Sequence, residues 1–270
     1  MNQAHPDWER ELEVALSAAR EAGDILLRHY EGGTKTWEKS EDNPVTLADL
    51  ESDKAIQAQL SHAFPGDAIL SEETISTLER LENDRVWIVD PMDGTKEFTR
   101  KIPEFAASIA LCERGEPVVG VILNPVTRVA VWATRGGGCF RDDVPVHISQ
   151  CTQLADATVI ASRTEISRDQ FAPYKGWFAE LRPVGSIAWK LACVACADGD
   201  LNISVAPKNE WDVCAGDLLV REAGGVYVDF EGHPRIYNQE KTLIDRGMAA
   251  GPAALLDTFF ERDRARDGSA

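Results

Sequence analysis

The chain has 270 residues, a hydrophobic content of 44% and a formal net charge of −17 from 28 basic and 45 acidic side chains. That length supports a sizeable core, in one large domain or two smaller ones, and the acidic balance argues against nucleic acid, whose phosphates want a basic surface. No apolar run reaches the length of a membrane span, and residues 1–11 lack the charged-then-apolar layout of a secretion signal, so a cytoplasmic protein with no membrane partner is expected.

In chain order, Trp8, Leu12, Ala15, Leu16, Ala19, Leu26 and Tyr30 recur at helical spacing and predict a long amphipathic helix ended by Gly32-Gly33. The polar segment 34–45 closes on Asn43-Pro44 and reads as a mobile loop. A second helix is predicted from Thr46 to Ala63, stopped by Pro65-Gly66. Thr46 and Asp49 resemble a capping box with Asp in place of Glu. By itself, Asp49 is a first-turn acid that complements the helix dipole. Ala68-Ile69-Leu70 is a short apolar strand followed by Ser71-Glu72-Glu73, which opens the polar stretch 73–85.

Residues 86–89 form a second apolar strand that runs into Asp90-Pro91-Met92-Asp93-Gly94-Thr95. Proline lacks an N–H and suits a strand end, and Asp93-Gly94 is turn chemistry. Two carboxylates three apart at the end of a rigid strand can face one hard cation, with the Met92 carbonyl as a third oxygen donor. A solvated turn is the alternative. Two successive strands finishing in acids favour the metal reading.

Residues 105–113, 117–124 and 129–134 predict an antiparallel meander, with 146–149 as its last strand. Gly136-Gly137-Gly138 has no helix after it and is no phosphate cradle. Beyond residue 150 strands (158–161, 182–184, 201–205, 226–229) alternate with helices (168–179, 186–198, 212–223), and a charged tail helix starts near Ala253 and frays. That alternation predicts an α/β unit. Asp212, after Glu210-Trp211, stands where a helix begins, and capping alone would justify it. The chain divides into an α+β half, 1–150, which holds the metal site, and an α/β half, 151–270, which completes the active site. Cys193 and Cys196 form a C-x-x-C with no second pair at zinc spacing, so the six cysteines read as free thiols.

No Walker A, dinucleotide, nucleophile-elbow or H-E-x-x-H motif occurs, which disfavours the chemistries that need them. What remains is an oxygen-only cation site. Glu72-Glu73, Asp90-Pro91-Met92-Asp93-Gly94-Thr95 and Trp211-Asp212-Val213-Cys214-Ala215-Gly216 resemble, in order and spacing, the signature blocks of the inositol monophosphatase superfamily of Mg²⁺-dependent, commonly Li⁺-inhibited phosphatases. The resemblance spans roughly residues 8 to 250. The continuation Lys96-Glu97-Phe98 is similar to the 3′(2′),5′-bisphosphate nucleotidases of CysQ type. So are Ser162-Arg163 and Gly185-Ser186 with Lys190.

The resemblance implies a layered αβαβα α/β fold and two or three Mg²⁺ per site. Glu72, Asp90 and the Met92 carbonyl would hold the ion that activates water, with Asp90, Asp93 and Asp212 around a second. Thr95 and Asp49 would orient and deprotonate the water. Gly94 and Thr95 amides would bind the scissile phosphate. Arg163 and Lys190 would meet a second phosphate or the base, and Asp212 would stand near the leaving group. The expected activity is removal of the 3′-phosphate from adenosine 3′,5′-bisphosphate by a monomer or homodimer. The alternatives are an inositol or sugar phosphatase of the same superfamily, or a non-catalytic protein that keeps the metal site.

Overall fold

The computed structural model describes residues 8–40, 43–74 and 77–267. The readings for residues 1–7 and for the last three residues lie outside the described residues. Helix α1 (Glu9–Gly32) is followed by strands β1 (Thr36–Ser40) and β2 (Asn43–Thr46), and helix α2 (Leu47–Ala63) leads to β3 (Ala68–Ser71). Strand β4 (Arg85–Asp93) precedes the short α3 (Thr95–Thr99). The meander β5 (Ala106–Glu113), β6 (Glu116–Asn124), β7 (Val129–Thr134), β8 (Gly138–Arg141) and β9 (Val144–Val146) follows. Then come β10 (Thr158–Ser162), α4 (Arg163–Ser167), β11 (Glu180–Val184), α5 (Ile187–Ala195), β12 (Leu201–Ser204) and β13 (Lys208–Asn209). The last elements are α6 (Glu210–Glu222), β14 (Val226–Asp229), β15 (Leu243–Ile244), β16 (Met248–Gly251) and α7 (Ala253–Asp267).

Strands β3 to β9 form a seven-stranded sheet in sequence order. A five-stranded sheet has the order β11-β10-β12-β16-β14. Alternate residues of β4, β5 and β6 point to opposite faces. Trp87, Ile109 and Val121 on one face pack with Ala15, Ala19 and Leu26 of α1 and Ile56 of α2. Ile88, Ala110 and Ile122 on the other pack with Leu191 of α5 and Leu218 of α6. The same helices also cover one face of the five-stranded sheet, whose Ile160 and Ala250 join that core. Its second face meets α7 through Phe259 and an aromatic group of Phe171, Tyr174 and Trp177. The layers are therefore αβαβα, as expected. Among the described residues no helix is long and apolar enough to cross a membrane.

Four local expectations are corrected. Segment 34–45 is a β-hairpin in which Trp37 pairs with Val45, and Leu47 N–H donates to Lys35 C=O; residues 41–42 lie outside the description. Strand β4 does not stop at Pro91 but continues to Asp93. Residues 147–149 leave the sheet, because Ile148 N–H donates to Ala223 C=O after α6. Segment 168–179 is not a helix but a 3₁₀ turn, Ala172–Tyr174, with Pro173 at its start and Gly176 after it. Pro173 has no N–H for a helical ladder, and the aromatic residues spaced three apart bury beneath α7 instead.

Candidate active site

A cavity of about 330 Å³ opens where β4 ends and α5 and α6 begin. Glu72, Asp90, Asp93, Thr95, Lys190 and Asp212 line it, with the Met92 and Gly94 backbone. Four of its acids come from three places in the fold, Glu72 just after β3, Asp90 and Asp93 from β4 and Asp212 from α6, and each is held by its local structure.

Asp90 and Asp93 depend on a bulge. Pairing between β4 and β5 passes from Asp90↔Ser108 to Asp93↔Ala106, three steps on one strand against two on the other. An unbroken pleat would send residues three apart to opposite faces. The extra residue, with Pro91 inside the bulge, re-aims them. Asp90 Oδ1 accepts the Met92 N–H at 2.9 Å. Asp93 Oδ2 accepts the Ser186 hydroxyl and the Ala188 N–H, each at 2.6 Å, at the N-terminus of α5.

Glu72 follows β3, and its N–H donates to Val89 C=O at 3.2 Å. Asp53 of α2 accepts the flanking Ser71 and Thr74 hydroxyls and so ties this corner down. Asp212 is the N3 residue of a capping box with Asn209 and accepts its N–H at 2.6 Å. Asp49 is the matching N3 acid on α2. Its Oδ2 accepts the Thr46 N–H and hydroxyl, and its Oδ1 faces the Thr95 hydroxyl at 3.2 Å. Both acids cap their helices; Asp212 lines the cavity, whereas Asp49 does not and reaches it through Thr95. Thr95 Oγ1 also lies 3.3 Å from Met92 C=O. Gly94 has φ +102°, and a Cβ there would stand 3.0 Å from Glu104 C=O, so only glycine turns the chain here without strain.

Carboxylate oxygens of Glu72, Asp90 and Asp212 lie within 4.8 Å of one another. Burial, reinforced by Glu72, Asp93 and Asp212, pushes Asp90 far above the ordinary carboxylate range. Burial and the charges of Asp93 and Glu72 push Asp212 up to about 8. Burial also raises Asp49 to about 6. Asp90 Oδ2 is buried with no hydrogen-bond partner among the described residues. Mutually repelling carboxylates around an orphaned oxygen fit a divalent cation, and an all-oxygen donor set fits Mg²⁺. Glu72, Asp90 and the Met92 carbonyl, with Asp93 and Asp212, are the residues that would hold it.

The profile of the inositol monophosphatase family matches residues 7–259. This chain belongs to the inositol monophosphatase family. It is 34% identical over 230 residues to the Nus factor SuhB of Pasteurella multocida, covering 82% of this chain and 85% of that protein. It is 36% identical over 233 residues to the inositol-1-monophosphatase of Mesorhizobium japonicum, covering 82% and 86%. The crystal structure of the extragenic suppressor protein suhB from Bartonella henselae superposes with a TM-score of 0.83 at 30% identity, over 93% of this chain and 97% of that one. The inositol monophosphatase of Thermotoga maritima gives a TM-score of 0.83 at 26% identity, over 96% and 98%.

Two expected substrate residues are occupied otherwise. Arg163 does not line the cavity; its guanidinium pairs with Glu104 through Nε at 3.0 Å and NH2 at 2.6 Å. Lys190 does line the cavity but is buried, and its ammonium donates to Ser186 C=O at 2.9 Å and Val184 C=O at 3.3 Å. Burial lowers it to about 8. Residues that sequence reasoning passed over are Asp53, Glu104, Ser186 as a partner of Asp93, and Lys208. Lys208 reaches the cavity and pairs with buried Glu165 at 3.2 Å. Only Ser186 carried a signal, as a serine placed to cap a helix. All six cysteines are free thiols, as expected.

Proposed function

We propose that this protein is a Mg²⁺-dependent phosphoric monoester hydrolase that uses activated water and no covalent enzyme intermediate. The observation that carries the reading is the orphaned oxygen of Asp90, an acid whose carboxylate clusters with those of Glu72 and Asp212. The family's chemistry is phosphate ester hydrolysis and is generally Mg²⁺-dependent, which supports it. A divalent ion held there by Glu72, Asp90, Asp93, Asp212 and the Met92 carbonyl would lower the pKa of a water and screen the anionic phosphate. The chain's own part is positional. Thr95 orients the attacking water through its hydroxyl. Asp49, raised to about 6 by burial, is poised to take the proton through Thr95. Gly94 and Thr95, at the start of α3, turn backbone amides toward the scissile phosphate. Asp212 stands beside the leaving oxygen.

For the substrate we infer adenosine 3′,5′-bisphosphate, cleaved at the 3′-phosphate. Support comes from the resemblance of Lys96-Glu97-Phe98 to those of the 3′(2′),5′-bisphosphate nucleotidases and from Lys96 lining the cavity, where it offers a cation beside the metal site. A second reading, an inositol monophosphate, is favoured by the name of the Mesorhizobium japonicum relative. The protein is proposed to act in the cytoplasm, as a monomer or homodimer, on a small phosphate ester. Phosphate release with Mg²⁺ from adenosine 3′,5′-bisphosphate, inositol 1-phosphate and fructose 1,6-bisphosphate, with and without Li⁺, separates the readings. Preference for the nucleotide supports the first. Preference for inositol 1-phosphate replaces it with the second. Mg²⁺ binding without turnover of any of the three removes the catalytic reading for these substrates.

A further inference from the structure

The turn from Val184 to Ser186 is gripped from three sides. Ser186 has φ +53° and ψ 122°, a conformation that non-glycine residues rarely hold unless the surroundings impose it. From below, the buried Lys190 ammonium binds the carbonyls of both Val184 and Ser186. From the side, Glu104 Oε2 accepts the Gly185 N–H at 2.7 Å, and Arg163 holds that carboxylate with a two-nitrogen grip. From above, Gly185 lies so close to α3 that a Cβ would meet Glu97 Cγ at 2.2 Å and Glu104 C=O at 2.9 Å. What the turn presents is the Ser186 hydroxyl and the Ala188 amide, both on Asp93 Oδ2. Asp93 Oδ1 has no hydrogen bond among the described residues and belongs to an acid that lines the cavity.

We propose that Lys190, Glu104 and Arg163 are positioning residues: they clamp the 184–186 turn so that Ser186 and Ala188 fix Asp93 as a metal ligand, and neither cation contacts the substrate. This deepens the metal-site reading and rests on it. The geometry separates the two roles. A substrate ligand presents free donors to the cavity. The Arg163 guanidinium pairs with Glu104 and does not line the cavity, and Lys190 gives two of its three protons to backbone carbonyls. Loss of a group that orients a metal ligand weakens metal binding by about 10–100-fold. Loss of a substrate ligand weakens anion binding and spares the metal.

The test measures Mg²⁺ binding by calorimetry on substrate-free protein, and separately competition by inorganic phosphate at saturating Mg²⁺. Variants are Arg163→Ala, Arg163→Lys, Glu104→Ala and Lys190→Met, each checked for folding by circular dichroism. Arg163→Ala and Glu104→Ala should weaken Mg²⁺ by about 10-fold or more and leave phosphate affinity at saturating Mg²⁺ within about 2-fold. Arg163→Lys should recover part of the loss, since a lysine still pairs with Glu104. Lys190→Met should behave like Glu104→Ala; because it empties a buried charge site it is the variant most prone to misfold, and the partly exposed Arg163 and Glu104 carry the test alone in that event. Unchanged Mg²⁺ affinity with phosphate affinity lowered about 10-fold in Arg163→Ala would overturn the clamp and restore Arg163 as a substrate ligand. Unchanged affinity for both would overturn it as well. The clamp is read from Mg²⁺ and phosphate binding alone, so failure of the phosphatase reading shows in the separate phosphate-release assay and is a different result.

Discussion

At the scale of single residues, the site holds negative charge that the fold alone does not neutralise. Asp90 is buried against Glu72, Asp93 and Asp212, and Oδ2 has no partner among the described residues. Asp90→Asn keeps the shape and removes the cost of either protonating this buried acid or holding its charge beside the other acids. It should therefore raise the melting temperature of the metal-free protein by a few degrees, at roughly 2–4 °C per kcal/mol for a chain of this size. Activity should fall at least about 100-fold, beyond the about 10–100-fold that loss of an outer orienting group costs. Thermal denaturation in EDTA and a phosphate-release assay check both parts; a less stable metal-free variant would contradict the repulsion argument. The pH dependence has a definite sign. Asp212 titrates near about 8 in the fold, and Asp90 well above its ordinary value; unfolded, both return to about 4. Between those limits the metal-free folded chain binds more protons than the unfolded one. For Asp212 the stability due to its proton is full below about pH 4 and is lost as pH rises through about 8, and the proton on Asp90 acts in the same direction. The gain from Asp90→Asn in EDTA should thus be larger at about pH 8 than at about pH 6. Mg²⁺ binding should release protons, which calorimetry in buffers of different ionisation enthalpy reads directly.

Secondary-structure elements supply the aim. Two helices, α2 and α6, start with a capping box whose N3 residue is aspartate; Asp212 lines the candidate site and Asp49 contacts Thr95, which does. The cap occupies one oxygen and leaves the other for Thr95 or the cavity. Thr46→Ala should cost about 1 kcal/mol as a lost N-cap. It should also lower kcat, because Asp49 Oδ2 then loses the hydroxyl that orients it. Denaturant unfolding and kinetics read the two effects; an unchanged kcat would separate Asp49 from the chemistry. Gly94 turns the chain between β4 and α3 at φ +102°. Gly94→Ala should destabilise by about 1–2 kcal/mol from its left-handed backbone, and more if Glu104 C=O cannot move away from the new Cβ.

At the scale of the whole molecule, α5 and α6 lie between the two sheets and share one core with both. The site exists only where these layers meet. Glu72, Asp90 and Asp93 come from the side of the seven-stranded sheet, and Asp212 from the start of a central helix. Removing the central layer from either sheet exposes the same core, so we expect one cooperative urea transition, coincident by tryptophan fluorescence and far-ultraviolet circular dichroism. Two separated transitions would show that the sheets stand independently. Mg²⁺ should raise the thermal midpoint of the wild type but not of Asp90→Asn, because only the folded state assembles the ligands.

Much of this was legible in the residues themselves, because local rules decide it. The apolar strand ending in Asp90-Pro91-Met92-Asp93-Gly94-Thr95, the cap at Thr46 and the acid at the start of α6 follow from periodicity, turn chemistry and capping. Those forces act within a few residues. The hairpin at 36–46 and the 3₁₀ turn at 172–174 escaped this reading because pairing and aromatic burial outweighed local composition. What Arg163 and Lys190 do was decided only by tertiary structure. A cation in the sequence is equally suited to a phosphate, a carboxylate or a carbonyl. Its partner is whichever acceptor the fold brings within reach: for Arg163, Glu104, 59 residues away. The bulge that turns Asp90 and Asp93 to one side is likewise a property of two paired strands. Local sequence supplied the acids, and long-range packing determined which way they face and what holds them there.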